Sequence, residues 1–475
     1  MNQTLAMPIS LEEVKAAVFD LGALKAPSPD GFSGTFYQSH WETVQSVVLD
    51  SASHHQSTNN ILHSLNQTHI ALIPKVKNPS TASHFRPIAL CNFSYKILAK
   101  ILANRLKPLM PSLISSNQSA FVTDRQIQDN IMVAHEVFHY LKLLRSGSDG
   151  AFGLKLDMNK AYDRMMLKTT DSNLIHPVRL GPQQIAVSHL LFVDDSLCSS
   201  LKLLWITACV YPTCFIPSAL LLASMKVVDD LGRYLGLPTI WGRLKRKALA
   251  FVKDAVKNKV DGWKQAMLSH AGKETLIKAV ACAIPAYTKA CFKFPASTCK
   301  EINSILSDFW WGTSKSSSIH WKSWEFLGLP KSNGGLGFHN FQDFNDALLA
   351  KQVWRLFHSP NSLCAQVLKQ LYFPNSSILQ AKRGSSPSWL WSSLLAGRDL
   401  LQNGALWNIG NGNSVNLWSD SWIPMVPPAP LNPAKANLNL PVSSLINWNN
   451  NSWDLSSIEA EISPFSEAKS MLSSS

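Results

Sequence analysis

Two predicted strands in this sequence each run into aspartate, and no other pattern constrains the fold as much. The segment FGLKLDM (Phe152–Met158) alternates in character and carries Asp157 near its end. The segment SHLLFV leads directly into Asp194 and Asp195. Carboxylates that converge from neighbouring strands can hold two divalent cations, and Mg²⁺ prefers such oxygen ligands. The pattern therefore predicts a small sheet with an acidic metal site at one end.

The aspartate doublet is a weak signal when it is taken by itself. Asp229 and Asp230, in KVVDDLG, stand in a similar apolar context. The residue pattern alone does not choose between the two doublets.

Helical patterns flank these strands on both sides. Ser10 and Glu13 have the spacing of a capping box at the start of the first helix. His69–Lys75 is typical of a short strand, and Tyr95–Lys107 is typical of a helix. The apolar face of that helix is predicted to hold Ile97, Leu98, Ile101, Leu102 and Leu106, with Arg105 outside it. A second long helix is marked by Ile127, Ile131, Ala134, Phe138 and Leu141.

The chain is basic, with 44 Lys and Arg residues against 31 Asp and Glu residues and a net charge of +13. This balance favours a polyanionic partner such as nucleic acid. A basic stripe of Arg246, Lys253, Lys257 and Lys264 runs beside an apolar stripe in a predicted helix. A solvated helix face and a helix that follows a phosphate backbone both explain this stripe.

Two further segments carry expectations of their own. Leu203–Met225 runs 23 residues without a charge, which is long enough to cross a bilayer. Pro212 and Pro217 interrupt it, so a buried segment is preferred and a membrane is not expected as a partner. After Pro424 the sequence becomes rich in Pro, Asn and Ser, which predicts a disordered tail.

Tryptophans crowd the C-terminal third, where core positions are favoured over base stacking. They are Trp310, Trp311, Trp321, Trp324, Trp354, Trp389, Trp391, Trp407, Trp418 and Trp422. The eight cysteines include no CxxC pair, which indicates a reducing compartment.

Several motifs, in order along the chain, resemble the reverse transcriptase of LINE-type non-LTR retrotransposons. They are HFRPIALCNFSYKILAKILANRLK, NQSAFVTDRQIQDNIMVAHE, KLDMNKAYDR and SHLLFVDDSL. YLGLP, HWKSWEFLGLPKSNGGLGF and NDALLAKQVWRLF resemble the thumb and the region after it, and WNIGNGNSVNLWSDSWIP resembles the segment before the zinc-binding module. The resemblance runs from about Leu11 to Pro424 apart from two gaps.

The resemblance implies roles for three carboxylates and their metal. Asp157 corresponds to the first metal-binding aspartate, and Asp194 and Asp195 correspond to the Phe-Ala-Asp-Asp doublet of the family. These residues are the expected catalytic groups and the expected ligands of Mg²⁺. The implied partners are an RNA template, a DNA primer and deoxynucleoside triphosphates, at an intracellular location in the nucleus or cytoplasm.

The resemblance also implies substrate contacts. Tyr162 corresponds to the aromatic gate that rejects a ribose 2′-hydroxyl. Lys75 and Arg86 correspond to the residues of the fingers that neutralise the incoming triphosphate.

The sequence departs from the family pattern between the aspartate motifs. Only 36 residues separate Asp157 from Asp194, where the family has a Gly-Gln turn and a long palm helix. Leu201–Val228 resembles nothing in the family. Ser28 replaces a family glycine, and Thr123–Asp124 replace Pro-Gly. The loss of the palm segment is expected to impair activity.

The expected fold class is α+β, with right-hand polymerase-like fingers, palm and thumb and a small antiparallel palm sheet. The expected regions are 1–150 (fingers and palm entry), 151–200 (truncated palm), 201–228 (apolar segment), 229–300 (basic thumb-like helices), 301–424 (Trp-rich region) and 425–475 (disordered tail). The expected function is that of an impaired RNA-directed DNA polymerase. A non-catalytic nucleic-acid-binding protein and a protein anchored by Leu203–Met225 are the alternatives.

Overall fold

In the computed structural model the chain divides into two units. Unit 1 comprises residues 1–116 and 121–125, and unit 2 comprises residues 117–120 and 126–475. The structure describes residues 5–25, 28–58, 61, 63, 65–120, 122–143, 152–157, 178–180, 185–187, 189–192, 195–199, 208–212, 226–227, 232–238, 245–263, 268–312, 319–423, 430–431, 435, 440–448, 450 and 452–458. Between 152 and 227 the description covers the strand backbone alone.

Unit 1 is helical apart from one hairpin. Its helices are α1 Leu11–Asp20, α2 Gly34–Ser39, α3 Trp41–Thr58, α4 Phe93–Leu106 and α5 Met110–Leu113. Strands β1 Thr68–Pro74 and β2 Phe85–Cys91 pair antiparallel. The core of unit 1 lies between α1, α3 and α4, where Val14, Trp41 and Ile97 are buried.

The predicted capping box of α1 is confirmed. The Ser10 hydroxyl accepts from the Glu13 amide, and the Glu13 carboxylate accepts from the Ser10 amide. This reciprocal pair satisfies two backbone donors that would otherwise lack partners at the start of the helix.

In its last two turns, helix α4 buries a different face from the predicted one. Ile97, Leu98 and Ile101 are buried as predicted, but Leu102 and Leu106 are 48% and 41% exposed. The prediction for these two leucines is therefore wrong. The physical reason is Arg105, which is buried with its guanidinium directed at polar partners.

Arg105 binds the N-terminal part of unit 1. Its Nε and Nη2 donate to the two carboxylate oxygens of Glu13, at 2.8 and 2.7 Å. Its Nη1 donates to the carbonyls of Leu5 and Met7, and its Nη2 also donates to the carbonyl of Pro8. A buried guanidinium needs partners for its five N–H donors, and these five acceptors supply them.

Unit 2 begins with a long helix and a sheet. Helix α6 is Ile127–Leu143, and the strands are β3 Phe152–Asp157, β4 Val178–Leu180, β5 Ile185–Val187, β6 His189–Phe192, β7 Asp195–Ser199, β8 Ala208–Pro212, β9 Lys226–Val227, β10 Arg233–Tyr234 and β11 Leu237–Pro238. Five of them form one sheet in the order β6-β7-β3-β8-β9. The pairs β4–β5 and β10–β11 are antiparallel hairpins.

The remainder of unit 2 is mainly helical. Its helices are α7 Lys245–Ala248, α8 Ala250–Asp261, α9 His270–Leu276, α10 Ala286–Lys289, α11 Ala296–Trp311, α12 Trp324–Leu327, α13 Phe341–His358, α14 Leu363–Tyr372 and α15 Trp389–Gly404. A π-helical turn, Ile277–Ala281, continues α9. One large core runs from α6 through α8 and α11 to α15, and it includes Val256, Ile302 and Trp391.

Within the predicted tail from residue 425, the structure describes elements in residues 440–448, 450 and 452–458. This segment contains a 3-10 helix, Val442–Leu445, and a short hairpin of β12 Ile446–Asn447 and β13 Ser452–Trp453. Val442, Leu445 and Ile458 are buried in a small core with residues from 415–423. These few apolar side chains suffice to order a segment whose overall composition is polar. The rest of the predicted tail lies largely outside the described residues.

The tryptophans divide between core and surface. Five of the ten are buried as predicted: Trp310, Trp324, Trp391, Trp418 and Trp422. Trp321, Trp354 and Trp407 are 75%, 47% and 41% exposed, so the core prediction is wrong for these three. Composition identifies a Trp-rich region, but the orientation of each helix and loop decides which rings are covered.

Candidate active site

The central sheet brings two of the predicted site residues together. Strands β3 and β7 pair antiparallel, and in their register Asp157 is the direct partner of Asp195. Direct cross-strand partners lie on the same face of a sheet, with Cβ atoms about 5 Å apart. The two residues therefore occupy one face at one end of the sheet.

The direction of the strands brings the end of β6 to this same end of the sheet. Strands β3 and β6 flank β7 and both pair antiparallel to it, so they run in the same direction. β6 ends at Phe192 and β7 begins at its partner Asp195. Asp194 lies between them, outside the described residues.

The second aspartate doublet follows a strand that runs the other way. β9 pairs parallel with β8, and β8 pairs antiparallel with β3. β9 therefore runs away from the end of the sheet at which Asp157 stands. Asp229 and Asp230 themselves lie outside the described residues. The strand that precedes this doublet in the sequence thus runs opposite in direction to β3 and to β6.

Helix α6 contacts β3 and β6 and supports the sheet. It is buried on nearly all sides, with Asp129 and Glu136 inside as well as the predicted apolar face. Asp129 accepts two hydrogen bonds from the guanidinium of Arg355 on α13. A buried carboxylate requires such a partner, because the unpaired charge costs several kcal/mol, roughly 3–5.

Lys75 and Arg86 lie on the β1–β2 hairpin of unit 1 and are exposed. Arg86 is the cross-strand partner of Ile73, and the Lys75 amide donates to the carbonyl of His84 at 2.7 Å. Lys75 and Arg86 therefore lie on the same face of the hairpin. The Lys75 ammonium donates to the carbonyl of Ser83 at 3.0 Å.

The basic stripe on α7 and α8 has an acidic partner that the sequence pattern missed. Glu301 on α11 binds Arg246 through one carboxylate oxygen and Lys253 through the other, the latter at 3.1 Å. Hydrogen bonding to Lys253, together with the charges of both cations, lowers the pKa of Glu301. One carboxylate thus serves two of the four predicted phosphate-binding cations.

Lys257 is exposed on α8. Lys264 and Tyr162 lie outside the described residues, so their positions stay predictions.

Two residues that replace family glycines, Ser28 and Asp124, differ in backbone conformation and burial. Asp124 has a φ of +65°, the left-handed region in which glycine is favoured, whereas Ser28 is buried.

Glu136 and Glu301 were both missed, for different reasons. Glu136 stands in the apolar run MVAHEVFHYL, and a carboxylate at the centre of such a run is a usable signal of a buried polar site. Glu301 carries no local signal, because its partners are 48 and 55 residues away.

The described side chains contain no group of three His, Cys, Asp or Glu residues arranged to hold a metal ion. The side chains of Asp157, Asp194 and Asp195 are outside that set. The backbone register nevertheless fits a metal site, since it aligns Asp157 and Asp195 on one face.

The apolar stretch Leu203–Met225 contributes a strand to the sheet. Ala208–Pro212 forms β8, which pairs with β3. Within the described part of the chain, no helix combines the length and the apolarity needed to cross a membrane.

Part of the chain matches a known protein family. Residues 73–202 match the family model for reverse transcriptase (RNA-dependent DNA polymerase). An uncharacterized mitochondrial protein of Arabidopsis thaliana is 39% identical over 150 residues, which cover 31% of this chain and 97% of the relative.

Two longer relatives are matched over part of their length. A putative ribonuclease H protein of Arabidopsis thaliana is 30% identical over 39% of this chain and 31% of its own length. An uncharacterized 149 kDa protein of transposon TX1 from Xenopus laevis is 30% identical over 34% of this chain and 12% of its own length. The chain thus spans less than a third of either relative.

The family match implies a polymerase-like fold, and the helix-rich architecture with small antiparallel sheets is consistent with it. The chain belongs to the reverse transcriptase family and is of retrotransposon origin. Its ancestry is therefore that of a reverse transcriptase. Polymerases of this family act on a nucleic acid template and nucleotides and use divalent metal ions.

Proposed function

We propose that this chain is a LINE-type reverse transcriptase remnant whose sheet carries the polymerase centre and whose activity is impaired. The observation that carries the proposal is the pairing of Asp157 with Asp195 across β3 and β7. The expected division is fingers and palm entry in 1–150, truncated palm in 151–200 and thumb-like helices in 229–300.

The proposed reaction is template-directed DNA synthesis on RNA. The 3′-hydroxyl of a DNA primer attacks the α-phosphate of a deoxynucleoside triphosphate, and pyrophosphate leaves. Asp157, Asp194 and Asp195 would hold Mg²⁺. When bound, the metal activates the attacking oxygen and stabilises the leaving one.

Other residues of the chain would position the substrates. Lys75 and Arg86 share one face of an exposed hairpin, which suits two cations that bind a triphosphate. Tyr162 would exclude a ribose 2′-hydroxyl. Lys257 and Lys264 would bind template–primer phosphates.

The short interval between the aspartate motifs supports the impairment. In the described part of this interval the chain forms the β4–β5 hairpin. With only 36 residues between Asp157 and Asp194, the chain has little length for a further long helix. Since even about 1 Å of misplacement costs on the order of a hundredfold in rate, a shortened palm is expected to synthesise DNA poorly.

Primer extension tests the proposal directly. The purified full chain would be incubated with oligo(dT) on poly(rA), dTTP and Mg²⁺, beside an intact reverse transcriptase. We expect product at least about a hundredfold below that of the intact enzyme. Asp194→Asn should remove what remains, and Asp229→Asn, the matched doublet control, should not. Robust product that Asp194→Asn abolishes would contradict the impairment.

A non-catalytic nucleic-acid-binding function is the second candidate, and the net charge of +13 favours it. In this case RNA binding weakens steeply with salt and persists in Asp157→Asn. Binding that does not respond to salt would exclude this candidate.

A further inference from the structure

A cavity of about 470 Å³ lies in unit 2, between α6, α14 and the loop before α15. None of the residues that line it is among those assigned to polymerisation. Its lining includes His139, Tyr140, Tyr372, Arg383 and Ser386. Small-molecule sites typically occupy about 300–1,000 Å³, and the volume of this cavity lies in that range.

The cationic part of the cavity is Arg383. Arg383 is exposed to solvent where it lines the cavity. Its neighbours in the lining are Gly384, Ser385 and Ser386, residue types that carry hydroxyl and amide donors. Gly384 has a φ of +76°, which a loop of this shape requires of glycine. A guanidinium and neighbouring loop donors are the groups that recognise phosphate.

A second cation stands near Arg383. Lys245, the first residue of α7, has its ammonium 5.3 Å from the ring centre of Trp389. Partial burial, and then the positive charge of Arg383, lower the pKa of Lys245. Two neighbouring cations without a described carboxylate partner repel each other, and an anion near both would offset that repulsion.

The wall of the cavity is held by a buried carboxylate. Glu136 has no exposed surface and accepts hydrogen bonds from the Tyr372 hydroxyl at 2.6 Å and the Ser388 hydroxyl at 2.5 Å. One turn later on α6, the His139 ring is 3.2 Å from the carbonyl of Ser386. These contacts join α6 to α14 and to the loop on which Arg383 lies.

The remaining lining is aromatic and apolar. Tyr140 and Leu143 of α6 line the cavity together with Leu371 of α14 and Pro374 of the loop after it. A flat ring can stack on the tyrosine while an attached anion reaches Arg383. We propose that this cavity binds a phosphate monoester that carries a flat heterocycle, with the phosphate at Arg383 and the heterocycle against Tyr140.

Calorimetric titration of the full chain with adenosine monophosphate tests the site. EDTA in the buffer removes metal-dependent nucleotide binding at the aspartates. A failure to bind adenosine monophosphate would therefore count against the cavity and not against the polymerase proposal. We expect saturable binding that inorganic phosphate weakens by competition and that adenosine does not reproduce. Arg383→Ala should weaken it by about tenfold or more, the usual loss for a charge-assisted phosphate contact.

Lys382→Ala is the matched control, because Lys382 is the adjacent exposed cation and does not line the cavity. It removes the same charge and should leave binding within about twofold, well inside the tenfold effect of a lost contact. Equal loss in both variants, equal binding of adenosine and its monophosphate, or no saturable binding would each overturn the proposal. Unchanged unfolding temperatures would show that both variants fold.

Discussion

Asp157, the last residue of β3, and Asp195, the first residue of β7, are direct cross-strand partners. If the two carboxylates share divalent cations, removal of either charge weakens the binding of both ions. We expect Asp157→Asn and Asp195→Asn each to reduce the affinity for Mn²⁺, a spectroscopic substitute for Mg²⁺, by about tenfold or more. Electron paramagnetic resonance titration measures the free ion directly.

Asp229→Asn is the control for that titration, since β9 runs toward the opposite end of the sheet. It should bind Mn²⁺ as the parent chain does. A loss of affinity in Asp229→Asn, with none in Asp157→Asn, would assign the metal to the other doublet.

Glu301 shares its carboxylate between Arg246 and Lys253. Glu301→Gln releases both cations toward solvent, and we expect the chain to bind single-stranded RNA more tightly at low salt. Each added phosphate contact steepens the dependence of log K on log salt by about 0.7. Fluorescence anisotropy of a labelled oligouridine between about 50 and 200 mM salt measures that slope.

Glu274 supplies the matched comparison, because it also binds two cations, Lys278 and Lys331. If the stripe on α7 and α8 is the RNA-binding surface, Glu274→Gln leaves the slope unchanged. If the salt dependence of RNA binding steepened equally in both variants, the change in net charge alone would explain it. The basic stripe on α7 and α8 would then not be the RNA-binding surface.

Gly397 lies where α15 crosses α13. A Cβ there would stand 2.4 Å from the carbonyl carbon of Leu349 and 2.6 Å from the amide nitrogen of Ala350. Both are backbone atoms, so the helices must separate to admit a methyl group. We expect Gly397→Ala to lower the free energy of unfolding by about 2 kcal/mol or more, as urea denaturation would show.

Gly404, the last residue of the same helix, is the control because nothing lies within 4 Å of its added Cβ. Gly404→Ala should leave stability unchanged or raise it by up to about 1 kcal/mol, through reduced freedom of the unfolded chain. Equal destabilisation by both substitutions would contradict the close helix contact.

Burial raises the pKa of Glu136 to about 7, although Ser388 and Tyr372 donate to it. The folded state therefore retains a proton that the unfolded state releases near pH 4.5. The stability from this group is fully present below pH 4.5 and is lost as pH rises through about 7. Glu136→Gln has no proton to release, so its stability relative to the parent should rise with pH by on the order of 3 kcal/mol.

Urea denaturation at pH 4.5, 6 and 8 measures this difference. Burial lowers the pKa of the adjacent His135 to about 3, which gives the parent chain an opposing slope. That slope is common to both proteins and cancels in the difference. If the free energy of unfolding of Glu136→Gln, relative to that of the parent, fell with pH, Glu136 would ionise more readily in the folded state than in the unfolded state.

Short-range patterns predicted the local elements well. The Ser10 capping box, strand β1, helices α4 and α6, and strands β3 and β6 are all confirmed near their predicted positions. Their signals are apolar periodicity and cap spacing, which act within a few residues and are therefore legible in the sequence.

The sequence by itself determined the acidic strand ends, the basic charge and the family motifs. The tertiary structure decided the rest: the register that aligns Asp157 with Asp195, the opposite direction of β9, and the burial of Arg105 and Glu136. These features depend on partners far apart along the chain, such as Tyr372 for Glu136. Burial of a charge is stable only where such partners converge, and convergence is a property of packing rather than of local pattern.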